Sequence, residues 1–322
     1  MTSLKSWPCA ALAGAELASK TTIQVGGSAE WLLEPRTPEE LRLAVVAARE
    51  AGFEPRILGG GANLIVADGV LAGVVIATDR LQRVFRPGRE LSSEEMLRVI
   101  EPDDRMAPQS PKENARIVAW AGASMPRIVS TTQKFGWTGF EGLVGVPGNV
   151  GGGIAMNAGG RWGEMWDVVE RVLLIGEDGS FVEKAREDCQ PTYRNGQLGR
   201  AIVASAVLRF RPDEKAAVVE RCRDYLKQKK DAQPVTERSA GCVWKNPDRE
   251  KSGGLSAGKL VEQCGGKGMS RGDAIVSHLH GNFIVNRGKA TATDVLTLIE
   301  DVHDLVAQKT GISLEREVKV WG

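Results

Sequence analysis

The sequence predicts a mixed α+β chain built from more than one structural unit. Three observations carry that prediction. Residues 22–58 read as a β-β-α-β opening. Residues 117–210 alternate strands with a helix around a glycine-rich stretch. Residues 213–320 alternate helix and strand again and contain a strongly periodic helix near the C-terminal end. At 322 residues, the chain is long enough for two or three units with a sizeable core.

Taken in order, residues 7–18 read as an N-terminal helix or arm, because Pro8 and Glu16 interrupt an otherwise apolar run. Residues 22–27 read as a strand entering a glycine turn, and residues 29–34 as a second short strand. Thr37, Pro38 and Glu40 mark a helix start, with Thr37 as N-cap, Pro38 at the first helical position and Glu40 closing a capping box. Leu41, Ala44, Val45 and Ala48 give that helix one apolar stripe, and Gly52 ends it. Strands are expected at 55–58, 64–66, 70–77 and 117–121, and a helix at 126–135 closed by Gly136. Residues 86–113 are polar and proline-bearing and read as a hairpin extension or surface insertion. Strands follow at 168–176, 181–185 and 202–210, with a turn at Asp178-Gly179.

The charged helix expected at 213–230 divides the chain into residues 1–212, with parts at about 1–70 and 71–212, and residues 213–322. The last part is expected to hold a strand at 242–244, a helix at 255–264, a strand at 283–286, a helix at 293–310 and a strand at 314–320. Val295, Leu296, Ile299, Val302, Leu305 and Val306 keep helical spacing, and Gly311 is a C-terminal stop.

Composition excludes several classes of function. Net charge is +1, which speaks against a phosphate-backbone binder, so no nucleic-acid partner is expected. Apolar runs fall short of the ~18 residues that span a bilayer, and the five cysteines lack CxxC spacing. Free thiols, a cytoplasmic location, no membrane partner and a monomer are the expectations. The three histidines pair with no acids at metal-like spacing, so no metal site is expected.

Glycine is abundant, at 38 residues, and it is clustered. Gly59-Gly60-Gly61-Ala62-Asn63-Leu64 follows an expected strand, and successive glycines there let backbone amides converge on an anion. Neither GxGxxG nor GxxxxGK[ST] occurs, so no Rossmann or P-loop motif supports the reading. A second cluster, Gly145-Val146-Pro147-Gly148-Asn149-Val150-Gly151-Gly152-Gly153, lets a flat ligand lie against backbone. Either cluster alone reads equally as a tight turn or a packed strand–helix junction. Together they suit a ligand with a pyrophosphate and a ring system.

These clusters, with Thr22, Gly26-Gly27, Tyr193-Arg194-Asn195, Gly241-Cys242-Val243-Trp244-Lys245-Asn246-Pro247, residues 260–268, residues 280–286 and Leu314-Glu315-Arg316-Glu317-Val318-Lys319, run almost end to end in a familiar order. The chain resembles the UDP-N-acetylenolpyruvoylglucosamine reductase family. The resemblance covers most of the sequence except 86–113. It implies an FAD-binding domain of the vanillyl-alcohol-oxidase (PCMH) type in 1–212, made of two α/β subdomains, and a C-terminal α+β substrate-binding domain in 213–322. It implies FAD as cofactor, held by Gly59, Gly60, Gly61, Ala62, Asn63, Leu64, Gly145, Pro147, Gly148, Gly151 and Gly152. NADPH would be the reductant and UDP-N-acetylglucosamine enolpyruvate the substrate, reduced to UDP-N-acetylmuramate by a hydride from flavin N5.

By the same resemblance, Arg194 and Glu317 stabilise the developing enolate, and Cys242 stands at the proton donor, where the family usually has Ser. A thiol is a far stronger acid than a hydroxyl, so the exchange keeps protonation chemically possible. As an arbitrary cysteine, Cys242 would read as a small buried hydrophobe. Arg194 and Lys245 would read as surface charges, and Glu317 as one side of a solvated strand face shared with Glu315. A glutamate beside an enolate needs a raised pKa. Tyr193, Lys245, Asn246, Gln263 and His280 match the substrate pocket, with Asn282 in the same segment as His280 and Lys267 as a further candidate. Only 195–200 separates Tyr193-Arg194 from the next strand, which matches the shorter family form lacking the tyrosine loop that covers substrate. Two alternatives stay open: another FAD-dependent oxidoreductase of this fold, or a non-catalytic binder of flavin or nucleotide sugar.

Overall fold

A computed structural model describes residues 6–87 and 113–322. In chain order they form β1 (Ala10–Glu16), β2 (Ser28–Glu34), α1 (Pro38–Glu50), β3 (Arg56–Leu58), β4 (Leu64–Val66), β5 (Val70–Ala77), β6 (Val84–Phe85), β7 (Arg116–Trp120), α2 (Met125–Phe135), α3 (Val150–Ala155), β8 (Val169–Ile175), β9 (Phe181–Ala185), β10 (Ile202–Arg209), α4 (Lys215–Ala232), β11 (Ser239–Cys242), α5 (Ala257–Gln263), β12 (Ser270–Arg271), β13 (Ala274–Val276), β14 (Phe283–Asn286), α6 (Ala292–Thr310) and β15 (Lys319–Trp321), with short bridges and turns between. The fold is α+β. The greater part of the polar 86–113 insertion lies outside the described residues.

Packing groups the chain differently from a linear division at residue 212. Among the described residues, one compact unit holds 6–12, 31–60, 73–87 and 113–227, and the other holds 13–30, 61–72 and 228–322.

In the first unit a five-stranded antiparallel sheet has the order β9-β8-β10-β7-β6. One face buries Ile117, Ala119, Val172, Leu174, Ala206 and Leu208 with Ile128 and Val129 of α2 and with Trp137, Phe140 and Trp166. Alternation along each strand, at two residues per repeat, sets this face. A four-stranded sheet, order β1-β2-β5-β3, pairs β3 with β5 in parallel. Helix α1 lays Leu41, Ala44, Val45 and Ala48 against Leu33, Val74 and Ile76. Burying a leucine of this kind is worth roughly 1.5–3 kcal/mol.

The start of α1 is as the sequence indicates. Thr37 Oγ1 accepts from Glu40 N at 3.1 Å, a cap worth about 1 kcal/mol. The second half of the expected box differs, because the Glu40 carboxylate accepts from Arg36 N at 2.8 Å.

In the second unit an antiparallel sheet of order β11-β14-β13-β12 packs under α5 and α6, and β15 pairs with β4 in parallel. Thr291 caps α6 in a reciprocal box with Asp294, and Gly311 closes it at φ 72°.

Four local expectations need correction. Residues 10–16, expected as part of a helix or arm, form strand β1. Gly14, at φ +65°, sits inside this segment, too short a stretch to sustain a helix around a glycine, while the edge of β2 offers ladder bonds. Residues 22–27 form no strand. Their backbone turns at Gln24 (φ 56°), and Thr22 N and Oγ1 donate to Gly61 O and Ser239 O instead. The strand expected at 242–244 ends at Cys242, after a register shift between Ser239 and Cys242 that takes in Gly241 at φ 74°. Of the strand expected at 314–320, only Lys319–Trp321 forms a ladder, with a single bridge between Trp244 and Arg316 before it.

Candidate active site

The start of the first glycine cluster and the second cluster lie together in the first unit. In the first unit, Gly59 and Gly60 leave β3 and meet the 148–152 segment backbone to backbone. A Cβ on Gly60 would lie 2.7 Å from Gly148 Cα and 3.1 Å from Asn149 Oδ1, and one on Gly151 would lie 2.9 Å from Ala121 Cβ. Only glycine permits this approach. The loop is pinned by Val150 N to Ala123 O and Gly151 N to Ala121 O, both 2.8 Å. At Gly59 the nearest atom to an added Cβ is Gly152 N at 4.0 Å, and at Gly152 nothing lies within 4 Å. Gly145 and Pro147, at the head of the same cluster, are exposed. Bare backbone facing open space fits a dinucleotide that must come close to peptide groups.

The rest of the first cluster belongs to the second unit. A Cβ on Gly61 would lie 2.2 Å from Lys20 O, and Ala62 precedes Asn63, whose Nδ2 donates to Glu317 O at 3.3 Å. Lys319 N donates to Asn63 O at 3.1 Å, in line with the pairing of Leu64 and Lys319 across β4 and β15.

Arg194 stands on a tight turn in the first unit. Thr192 and Asn195 bond reciprocally at 2.8 and 3.1 Å, and Arg194 takes the left-handed conformation at φ 57°. Such a conformation in a non-glycine residue costs about 1–2 kcal/mol and recurs at functional sites. Arg194 Nη2 donates to Gly159 O at 3.0 Å, and the guanidinium lies 4.8 Å from the ring centroid of exposed Tyr193. Asn157 supports the turn from below. Its Nδ2 donates to Thr192 O and to Glu164 Oε2, and its Oδ1 accepts from Trp166 N. Asn157, at φ 44°, lies four residues past the second glycine cluster and carries no motif of its own in the sequence.

Cys242 and Glu317 come together in the second unit. Cys242 pairs with Phe283 at the end of β11 and is half-buried. Val243 O accepts from Glu317 N at 2.8 Å and from Val318 N at 3.3 Å, and Lys245 N donates to Glu315 O at 2.8 Å. Two consecutive donors to one carbonyl break the alternation of a regular strand. Glu315 and Glu317 therefore do not share an environment: Glu317 is 8% exposed and Glu315 is exposed. The expectation of a common solvated face is overturned.

The other predicted residues of the second unit have partners of their own. Lys245 Nζ forms an ion pair with Glu315. Asn246 Oδ1 accepts from Ala257 N at 3.1 Å and fastens the start of α5. His280 packs closely enough that a Cβ on Gly258 would lie 2.7 Å from its Cε1. Its Nδ1 accepts from Asn282 N at 3.1 Å. Burial first, and then the charge of Lys267, hold the His280 pKa below its ordinary value. Lys267 pairs with Glu262 at 3.0 Å. Gln263 is exposed at the end of α5.

A separate open groove of about 950 Å³ in the first unit is lined by Glu141, Trp162, Arg209, Arg221 and Tyr225, among others, and contains none of the predicted residues. Among the described residues, no group of three or more His, Cys, Asp or Glu could hold a metal ion. No helix there is long and apolar enough to cross a membrane.

Comparison with known proteins agrees with the two halves of this description. Residues 29–184 match the model of an FAD binding domain, and residues 233–321 match that of the UDP-N-acetylenolpyruvoylglucosamine reductase C-terminal domain. The chain is 37% identical over 95% of its length to a UDP-N-acetylenolpyruvoylglucosamine reductase of Moorella thermoacetica, covering 91% of that protein. It is also 37% identical to one of Deinococcus radiodurans, covering 95% of this chain and 94% of that protein. The crystal structure of the reductase from Thermus caldophilus aligns with a TM-score of 0.75 at 33% identity, over 97% of this chain and 98% of that one. The chain therefore belongs to the UDP-N-acetylenolpyruvoylglucosamine reductase family, a family of FAD-dependent oxidoreductases.

Proposed function

We propose that this chain reduces UDP-N-acetylglucosamine enolpyruvate to UDP-N-acetylmuramate with NADPH, in the synthesis of peptidoglycan precursors. Bound FAD would supply the hydride chemistry, accepting a hydride from NADPH and delivering it to the enolpyruvyl group. Gly59, Gly60, Gly148, Gly151 and Gly152 present the backbone against which the cofactor is held, and residues 213–322 contribute the substrate-binding part.

Hydride addition at one carbon of the enolpyruvyl double bond builds negative charge on the adjacent carbon and its carboxylate. Arg194 carries a rigid donor fork that answers this charge. Cys242 Sγ gives its proton to the charged carbon, and solvent reprotonates the thiolate. Glu317, buried and fixed by its backbone to Val243, offers a hydrogen bond to the enolate. Tyr193, Lys245, Asn246, Gln263 and His280 are assigned to substrate binding.

The observation that carries this reading is the 2.8 Å bond from Glu317 N to Val243 O. It joins the segment of the proton donor to that of the acid. Anaerobic stopped-flow absorbance tests the reading, by reducing the FAD-loaded enzyme with NADPH and mixing it with UDP-N-acetylglucosamine enolpyruvate. Flavin reoxidation is expected. Reduction without reoxidation would leave another flavin-dependent oxidation and sink the substrate assignment. Cys242→Ser is expected to keep partial turnover and Cys242→Ala to lose roughly 10²–10⁴-fold, both with unchanged flavin binding. Equal turnover in Cys242→Ala and wild type removes Cys242 from the mechanism.

A further inference from the structure

Asn282 matches a segment expected to line the substrate pocket, yet its side chain is only 4% exposed. Both of its polar atoms are engaged with one residue. Oδ1 accepts from Trp244 N at 2.8 Å, and Nδ2 donates to Trp244 O at 2.7 Å. A side-chain amide has one acceptor oxygen and two N–H donors. Here it reproduces the reciprocal pair of bonds that a neighbouring strand would form. The Asn282 backbone adds a third bond, with its carbonyl accepting from Val243 N at 3.0 Å.

These bonds lie where the regular ladder fails. Strand β11 ends at Cys242, after the left-handed Gly241 and the register shift. Beyond it, Val243 keeps only its N–H bond to the Asn282 carbonyl on the β14 side, and the Trp244 peptide is met there by the Asn282 side chain. On the opposite side, Val243 O is already occupied by Glu317 N and Val318 N. Asn282 continues the ladder by means of its side chain, two residues past Cys242. Trp244, 1% exposed, anchors the same segment in the core.

We propose that Asn282 is a positioning residue for Cys242. Its amide clamps the Trp244 peptide and so fixes the Cys242 thiol in register with Glu317, and it does not bind substrate. The proposal rests on the function assigned above, but the clamp is measurable without substrate. A buried amide satisfied on both atoms locks its partner in one geometry, whereas an unpaired peptide in the same place opens to water.

The test uses the FAD-loaded enzyme with Asn282→Ala and Asn282→Asp. Hydrogen exchange at the Trp244 amide is expected to accelerate at least tenfold in Asn282→Ala, and exchange within α6 to change less than twofold. Alkylation of Cys242 by iodoacetamide, mapped on its peptide, should accelerate as well. Asn282→Asp keeps the acceptor for Trp244 N but sets a buried carboxylate oxygen against Trp244 O, so exchange at Trp244 should accelerate at least as much as in Asn282→Ala. In stopped flow, the saturating rate of flavin reoxidation is expected to fall at least tenfold in Asn282→Ala. Reduction by NADPH should stay within twofold, and half-saturation by substrate within threefold.

Unchanged exchange at Trp244 overturns the clamp. A raised half-saturation with an unchanged saturating rate makes Asn282 a substrate contact and overturns positioning. A parallel fall of both half-reactions with faster exchange throughout α6 shows general loosening and overturns it too. If wild-type flavin is not reoxidised at all, the assigned function fails, while Trp244 exchange and Cys242 alkylation still decide the clamp.

Discussion

The turn at 190–197 and the segment at 239–247 each present one residue assigned to the chemistry, and they hold it by opposite means. Arg194 is placed locally. Gln190, Arg194 and Gln197 all take positive φ within eight residues, and the turn closes on its own Thr192 and Asn195. The support from Asn157 and Gly159 comes from the neighbouring loop. Cys242 is placed by residues distant in sequence: Asn282 and Phe283 on one side, and Glu317 bonded to Val243 on the other, with Asn63 in turn holding the Glu317 carbonyl. A local turn stores backbone strain and fails when its own few bonds are cut. A segment held by remote partners fails when the core around it shifts.

Within the local turn, the largest effect is expected from removing the held group itself. Arg194→Ala should lower the saturating rate of flavin reoxidation by about 10²–10³-fold, with NADPH reduction nearly unchanged. Parallel loss of both half-reactions would show that Arg194 serves the fold and not the charge.

Cutting the support of the turn comes next. Asn157 is 2% exposed, and Asn157→Ala strands Trp166 N and leaves Thr192 O with Asn195 N as its donor. Chemical denaturation should report a loss of about 2 kcal/mol. Slower reoxidation together with unchanged exchange at the Trp244 amide would confirm that the two regions are held independently. Faster exchange at Trp244 would break the comparison.

The smallest effect is a pH dependence confined to the second region. The folded pKa of His280 lies below the ordinary 6.5, so between those two values the unfolded chain binds the extra proton. Stability is therefore full above about pH 6.5 and falls as pH drops toward the folded pKa. Protonation also removes the Nδ1 acceptor used by Asn282 N. Denaturation midpoints measured from pH 7.5 to 5 should show this decline in the wild type and a flatter profile in His280→Gln. Equal slopes would remove His280 from the effect.

Much of the fold was legible because local signals agreed with it. Thr37, Pro38 and the stripe of Leu41, Ala44, Val45 and Ala48 marked α1. Gly136 and Gly311 marked the ends of α2 and α6, and β4, β5, β9 and β14 fell where apolar runs placed them. The order of the glycine clusters and of the 241–247 and 314–319 segments pointed to the family later matched. Strand periodicity misled at Glu315 and Glu317, because the alternation rule assumes a regular ladder and Val243 O receives two successive donors. Residues 10–16 were misread because their helix-forming composition yields to an available sheet edge.

By itself, the sequence determined the helices with caps and stripes, the glycine positions where backbone must meet backbone, and the presence of Arg194, Cys242 and Glu317 in the family's order. These follow from conformational preference and periodicity, which act over a few residues. Only the tertiary structure decided that Glu317 is buried while Glu315 is exposed, that Asn157 holds Thr192 O, Trp166 N and the Glu164 carboxylate while Asn63 holds Glu317 O, and that Asn282 stands in for a strand beside Trp244. Each of those outcomes depends on which distant carbonyl or amide comes within hydrogen-bond reach. A residue's type lists the bonds it can make, and the packed chain selects their partners.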